Sequence, residues 1–169
     1  RPVSIPAAAT QVARDLHGDL AHCNGLLIGA GEMGEMLATS LISAGLSHLV
    51  VTHPKLTRAE NLGQQLNCHI GSMEELPQLL AKSDIVLTSV NSRRFTLTRD
   101  AVKAATTARR RKPILLIDTG VPGDIDYTTA ELEDAFLYSL NDLERVTREG
   151  MKTLEEETEK AWNIVDEEV

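Results

Sequence analysis

The most concentrated chemical signal in the chain is the string Gly29-Ala30-Gly31-Glu32-Met33-Gly34, a G-x-G-x-x-G. Apolar Leu26-Leu27-Ile28 leads into it and reads as a strand, while Met33, Leu37 and Leu41, spaced by four, read as the helix that follows. A turn of this kind suits a pyrophosphate. The first glycine makes the tight turn, the second lets the phosphates approach the backbone, and the third allows close helix–strand packing. The helix N-terminus supplies free N–H groups and the positive end of its dipole. The string alone is weak evidence; set between this strand and this helix, with a second strand at Leu49 to Thr52, it is strong.

The end of that second strand should discriminate the cofactor. A site for NAD places Asp or Glu there for the ribose hydroxyls, whereas a site for NADP avoids the acid and supplies cations. Here the stretch is His53-Pro54-Lys55-Leu56-Thr57-Arg58, with no acid. Lys55 and Arg58 are available for a 2′-phosphate with His53 beside them, which predicts NADPH as the cofactor. The rival reading makes Lys55 and Arg58 solvated residues at a helix start.

Two further loops leave the same edge of the expected sheet. Ser89-Val90-Asn91 follows the fourth strand, where such folds meet the nicotinamide ribose. The fifth strand runs into Asp118-Thr119-Gly120-Val121-Pro122-Gly123-Asp124-Ile125-Asp126, which brings Val121 and Pro122 to the cofactor side. Asp118 and Asp124 could be paired catalytic carboxylates. The preferred reading is that Asp118 ends a strand while Asp124 and Asp126 shape a turn with Gly123. His17, His22, His48, His53 and His69 show no metal-ligand spacing, and no Ser-His-Asp or Cys-His arrangement is legible. No catalytic and no metal-binding residue is assigned.

The elements that position these residues follow from hydrophobic pattern. Strands are expected at Leu26 to Gly29, Leu49 to Thr52, Cys68 to Ile70, Ile85 to Val90, Ile114 to Asp118 and Phe136 to Ser139. Runs such as Ile114-Leu115-Leu116-Ile117 are apolar on both faces, as in a parallel sheet covered by helices. Helices are expected between them: one ending at the cap Gly45, then Thr57 to Leu66, a short Glu74 to Ala81 interrupted by Pro77, and Asp100 to Arg110. An extra helix precedes the first strand, capped by Ser4, with Pro6 in its first turn and a stripe of Val12, Ala13, Leu16 and Leu20. Strand and helix alternating in this way give an α/β fold, a Rossmann-type doubly wound parallel sheet.

The chain's end reads differently. Asn141 and Glu144 resemble a capping box. From there Leu143, Val146, Met151, Leu154, Ala161, Trp162, Val165 and Val169 recur at helical spacing among acids. A helix over 141–169 would be roughly 40 Å long, more than one small domain covers, so its far end should project and seek a partner. Two parts are expected: a nucleotide-binding domain over 1–140 and a linker helix from 141.

Composition agrees. The 169 residues are 42% hydrophobic and 25% charged, ordinary for a globular domain, with a core that must be aliphatic because aromatics are only 3%. No apolar run approaches the ~18 residues of a membrane span. Residues 131–169 hold 13 acids and 4 bases, which argues against that segment gripping nucleic acid. Arg109-Arg110-Arg111-Lys112 reads as cations at a helix end, where the dipole favours them. Cys23 and Cys68 read as small buried residues, and their number and spacing suggest a reducing, cytoplasmic setting. The start, Arg1-Pro2-Val3-Ser4, suggests an excised fragment.

Several segments together resemble one family. They are Ser4-Ile5-Pro6-Ala7-Ala8-Ala9, Gly29 to Gly34, Arg58-Ala59-Glu60, Ser83-Asp84-Ile85-Val86, Ile117-Asp118 with Val121-Pro122 and Asp124-Ile125-Asp126, and Leu137-Tyr138 with Asp142-Leu143. In order and spacing the chain is similar to the NADPH-binding domain of glutamyl-tRNA reductase plus the start of its long spinal helix. The resemblance implies an enzyme that reduces glutamyl-tRNA to glutamate-1-semialdehyde in tetrapyrrole (porphyrin) biosynthesis. It implies a catalytic-cysteine domain outside this chain that meets glutamyl-tRNA, and a homodimer formed through the C-terminal helical region. By itself the chain is then expected to bind cofactor and turn nothing over. The chain departs from the family where His53-Pro54-Lys55 replaces Asn-Arg-Thr, where Gly123 replaces Arg, and in the Ser89-Val90-Asn91 loop. Alternatives are a nucleotide-sensing regulatory module without catalysis and a divergent NAD(P)-dependent dehydrogenase domain.

Overall fold

The computed structural model describes residues 4–168. Six strands form one parallel sheet: β1 (Asn24–Gly29), β2 (His48–Thr52), β3 (His69–Ile70), β4 (Ile85–Ser89), β5 (Ile114–Asp118) and β6 (Ala135–Ser139). Their order is β3-β2-β1-β4-β5-β6, so the strand sequence reverses direction between β1 and β4. There Gly29 lies level with Ser89, at the carboxyl ends of both strands. Ligands bind at such a switch point in open α/β sheets.

The doubly apolar runs fold as their pattern requires. In β1 Leu27 joins the core on one face while Leu26 and Ile28 join the other, and in β5 Leu115 and Ile117 oppose Ile114 and Leu116. The first face is covered by α1 (Ile5–His17), α2 (Glu32–Ser43) and α3 (Leu56–Leu66). The second is covered by α4 (Leu76–Lys82) and α5 (Arg99–Ala108). Burying a Leu or Ile side chain fully is worth roughly 1.5–3 kcal/mol, so a polar residue at any of these β5 positions would break the sheet's centre.

Local signals set the boundaries. Ser4 Oγ accepts from Ala7 N at 3.2 Å and Pro6 lies in the first turn of α1. Leu20 is buried as expected but lies beyond α1, in a short 3-10 turn after Gly18. Pro77 does not interrupt a helix: it sits in the first turn of α4, where its missing N–H costs nothing, and the preceding Met73–Glu75 is 3-10.

The last helix, α6, runs Leu140–Glu168. Its cap is not the expected Asn141 and Glu144 pair. Ser139 Oγ accepts from Asp142 N at 3.2 Å, while Asp142 Oδ2 accepts from Ser139 N at 2.8 Å. That reciprocal box starts two residues earlier, directly on the end of β6. Leu143 is buried and Val146 half-buried against the body, whereas the described residues from Met151 to Ala161 are exposed. The expected apolar stripe is therefore anchored only at its beginning. Val169 lies outside the described residues, as do the side chains of Leu154, Trp162 and Val165. No helix among the described residues is long and apolar enough to cross a membrane.

Candidate dinucleotide-binding site

The glycine turn is shaped around Ser89. Gly29 has φ +113°, a conformation that L side chains rarely adopt, and a Cβ there would strike the Ser89 carbonyl. A Cβ on Gly31 would strike Ser89 Oγ, and one on Gly34 would strike Ser89 Cβ. Ser89 O accepts from Gly31 N at 3.1 Å and Ser89 Oγ accepts from Gly34 N at 3.3 Å. Thus all three glycines are required within the chain to let the end of β4 lie against the start of α2. Ser89 was expected at the nicotinamide side; it is buried, and its hydroxyl is spent under the glycine turn.

What the turn leaves free decides whether a dinucleotide fits. Gly31 is the N-cap of α2 with no side-chain cap, so the first-turn N–H groups of Glu32 and Met33 have no helical partner. They face the carboxyl edge at the switch point. Anionic oxygens satisfy such groups, and the helix dipole favours them. Glu32 is itself exposed, and Glu35 of the same turn is held by Gln65 of α3.

At the end of β2, His53 is buried and its Nδ1 accepts from Lys55 N at 2.8 Å. Burial, reinforced by the charges of Arg58 and Lys55, lowers the imidazole pKa. Lys55 is the N-cap of α3 and Arg58 lies in its first turn; both are exposed, and neither has an ion-pair partner among the described residues. Next to them the buried Thr52 hydroxyl has no hydrogen-bond partner among the described residues. The expected cations therefore follow a buried histidine whose pKa is lowered, with no acid at the strand's end.

The two nicotinamide-side loops are tied together by carboxylates. Asp118, at the end of β5, accepts from Thr88 Oγ1 (3.1 Å) and from the N–H groups of Gly120, Asp124 and Ile125 (each 2.9 Å to one of its oxygens). Asp124 in turn accepts from Val90 N at 2.8 Å and Asn91 N at 2.9 Å. Asn91, in the left-handed region at φ +57°, accepts from Val121 N at 3.1 Å. Gly120 leaves room for this clamp, because a Cβ there would lie 2.7 Å from the Asp124 carboxyl carbon. Burial raises the Asp124 pKa, against the two N–H bonds that lower it. The preferred expectation, that these acids build the loop, describes their bonds. The roles of Thr88 and of Asp124 across the two loops were not legible, because the partners lie about thirty positions apart in sequence. Val121 and Pro122, joined by a cis peptide bond, are exposed at the rim.

Among the described residues no group of three or more His, Cys, Asp or Glu is placed to hold a metal ion. Burial raises the Cys23 thiol pKa, helped by the negative Asp84 and Asp19; burial alone raises that of Cys68. Cys68 is only half-buried, a departure from its expected full burial.

A parallel sheet in this order, with a glycine turn at its switch point, defines an NAD(P)-binding dehydrogenase domain. The chain belongs to the family described as shikimate / quinate 5-dehydrogenase, which matches residues 11–146. It corresponds within that class to the NAD(P)-binding domain of glutamyl-tRNA reductases. It is 40% identical over 164 residues to the glutamyl-tRNA reductase of Rhodospirillum rubrum, covering 97% of this chain and 38% of that protein. The structure of glutamyl-tRNA reductase from Methanopyrus kandleri superposes with a TM-score of 0.86 at 31% identity, covering 98% of this chain and 42% of that one. The nucleotide-binding domain of the Thermoplasma volcanium enzyme, at 17% identity and TM-score 0.66, covers 92% of this chain and 99% of that one and shares the fold. The chain spans about two fifths of the length of the curated relatives it matches.

Proposed function

We propose that this chain holds NADPH for a glutamyl-tRNA reductase, the longer protein reducing glutamyl-tRNA to glutamate-1-semialdehyde. The observation that carries the cofactor reading is the end of β2, where Lys55 and Arg58, at the start of α3, follow a buried His53 and no acid is present. An acid there would repel a 2′-phosphate; two cations attract it. In this reading the turn Gly29, Ala30, Gly31, Glu32, Met33 and Gly34 receives the pyrophosphate, with the N–H groups of Glu32 and Met33 as donors. His53, Lys55 and Arg58 receive the adenosine phosphate. Val90 and Asn91, held by Asp124, face the nicotinamide side with Val121 and Pro122 at the rim, while Ser89 sets the spacing beneath. Bound NADPH supplies a hydride.

Neither cysteine of this chain suits a nucleophile, since each thiol is pushed up by burial and so away from the thiolate. The thioester-forming thiol, and with it the contact to the glutamyl end of the tRNA, therefore belongs to another part of the longer protein, and this chain alone binds cofactor without turnover. Pairing of two copies through the exposed part of α6 fits the same reading. The test is a calorimetric titration with NADPH and with NADH, on this chain and on a Lys55→Ser, Arg58→Ser double variant. NADPH should bind at least about tenfold tighter than NADH, and the variant should lose that difference, since a hydrogen bond to a charged group is worth roughly 1.5–3 kcal/mol. Equal affinities in the unaltered chain would overturn the assignment.

A further inference from the structure

Four consecutive cations, Arg109-Arg110-Arg111-Lys112, follow α5 at the sheet's amino edge. Three fates divide them. Arg109 is buried; its guanidinium donates to Asp84 Oδ1 (2.8 Å), Pro113 O (2.9 Å) and the carbonyls of Ala81 and Lys112 (3.4 Å each). Arg111 turns outward and pairs with Glu133 at 3.4 Å and Asp134 at 3.7 Å. Arg110 and Lys112 pair with no acid among the described residues. With Lys82 at the end of α4, exposed and without an ion-pair partner among the described residues, they line a recess of about 540 Å³.

Arg109 bonds the Ala81 carbonyl in the last turn of α4, and on the exposed cations the helix ends act through their dipoles. Two helix C-termini, of α4 and α5, contribute at most about −0.5 each. Asp84, the acid in the recess, is matched by Arg109, and its second oxygen accepts from Asn24 N at 2.8 Å. His22 at the rim faces Asp19 at 3.7 Å. Three free cations against two helix ends leave a surplus of about two positive charges, in a chain whose net charge is −8. The backbone adds a second mark: Arg110 and Arg111 have φ +54° and +61°, a left-handed conformation that glycine or Asn adopts more cheaply.

We infer that this recess binds a multiply charged phosphate, through Lys82, Arg110 and Lys112. The site is separate from the nucleotide edge, because β4 alone sets roughly 16 Å between the two ends of the sheet, and it does not depend on the proposed cofactor. The phosphate can come from a free polyphosphate or from an RNA strand, both of which present the same oxygens to the cations.

The experiment titrates inorganic pyrophosphate, and separately a short single-stranded RNA, into three forms of the chain. They are the unaltered chain, a Lys82→Ser, Arg110→Ser, Lys112→Ser variant, and the Lys55→Ser, Arg58→Ser variant as control for the exposed cations of the other edge. The three recess side chains are exposed and have no ion-pair partner among the described residues, so the first variant should keep its urea midpoint. Pyrophosphate binding that persists in the control and weakens tenfold or more in the recess variant supports the site with a free phosphate as its source. RNA binding with that same dependence, and none of pyrophosphate, supports it with RNA as the source. If neither ligand binds the unaltered chain, or the recess variant binds as the unaltered chain does, the inference is overturned. Failure of NADPH to bind would leave these readings intact and would count only against the cofactor assignment.

Discussion

The two ends of the sheet are both closed by buried charge, but of opposite sign. At the carboxyl edge Asp118 and Asp124 accept from five backbone N–H groups, those of Gly120, Asp124, Ile125, Val90 and Asn91. At the amino edge Arg109 donates to three backbone carbonyls, those of Ala81, Lys112 and Pro113. The difference follows the loops at each edge. At the carboxyl edge the five N–H groups lie in the loops that leave β4 and β5; at the amino edge Ala81 lies in the last turn of α4, while Lys112 and Pro113 lead into β5. A buried acceptor ties the first loops together and a buried donor the second. What remains at each surface differs accordingly: unpaired N–H groups at the glycine turn on one side, unpaired cations on the other.

The largest expected effects come from removing either buried charge. Arg109→Ala strands the Asp84 carboxylate and three carbonyls, and should cost about 3–5 kcal/mol of folding stability. Asp124→Ala leaves the N–H groups of Val90 and Asn91 without acceptors and should cost about 2–5 kcal/mol. Urea unfolding measures both. The comparison sharpens on ligand binding: Asp124→Ala should weaken NADPH as well, because it frees the nicotinamide-side loops, whereas Arg109→Ala should leave NADPH affinity within about twofold under folding conditions. Equal effects of the two substitutions on affinity would show that the edges are not independent.

A smaller effect tests the glycine turn within the carboxyl edge. Gly34→Ala drives a Cβ into Ser89 Cβ and should cost about 1–3 kcal/mol. Ser89→Gly removes that obstacle, so the double variant should recover most of the loss over Ser89→Gly alone. Gly29→Ala meets the Ser89 carbonyl and sits at φ +113°, so no side-chain change at Ser89 can rescue it. Recovery in both pairs, by thermal unfolding, would mean the turn yields in a way its geometry denies.

These same residues mark how far the sequence could be read. The parallel sheet and its two-faced core were legible because the central runs, such as Ile114-Leu115-Leu116-Ile117, are apolar on both sides and helices such as α1 carry local start signals; the order of the strands was not read. The glycine turn was legible as a turn, and Lys55 and Arg58 as neighbours of the β2 end. Ser89 as the atom the glycines accommodate was not, since 55 positions separate it from Gly34. Nor was the division of labour among Arg109 to Lys112, which needs Asp84 at a separation of 25. The Ser139–Asp142 cap was present in the sequence as S-x-x-D and was overlooked for a neighbouring pair. Local chemistry shows in sequence; side-chain bonds that cross the sheet do not.

The smallest expected effect lies where the carboxyl edge meets solvent, at His53. Its pKa is lowered from 6.5 in the folded chain, first by burial and then by Arg58 and Lys55. The unfolded chain therefore binds the proton more readily than the folded one, and stability rises with pH where that difference operates. The contribution is complete above pH 6.5 and is lost as pH falls through the lowered folded value. His53→Asn offers a clean comparison, because Asn Oδ1 can take the Lys55 N–H that Nδ1 accepts at 2.8 Å but cannot titrate. The gap in stability between the two proteins should shift in favour of the Asn variant on acidification below pH 6.5 and stay constant above it. Urea unfolding at a series of pH values would show this. A gap that stays flat across pH 6.5 would mean the imidazole is not desolvated, and the lowered pKa of the buried histidine beside Lys55 and Arg58 would have to be given up.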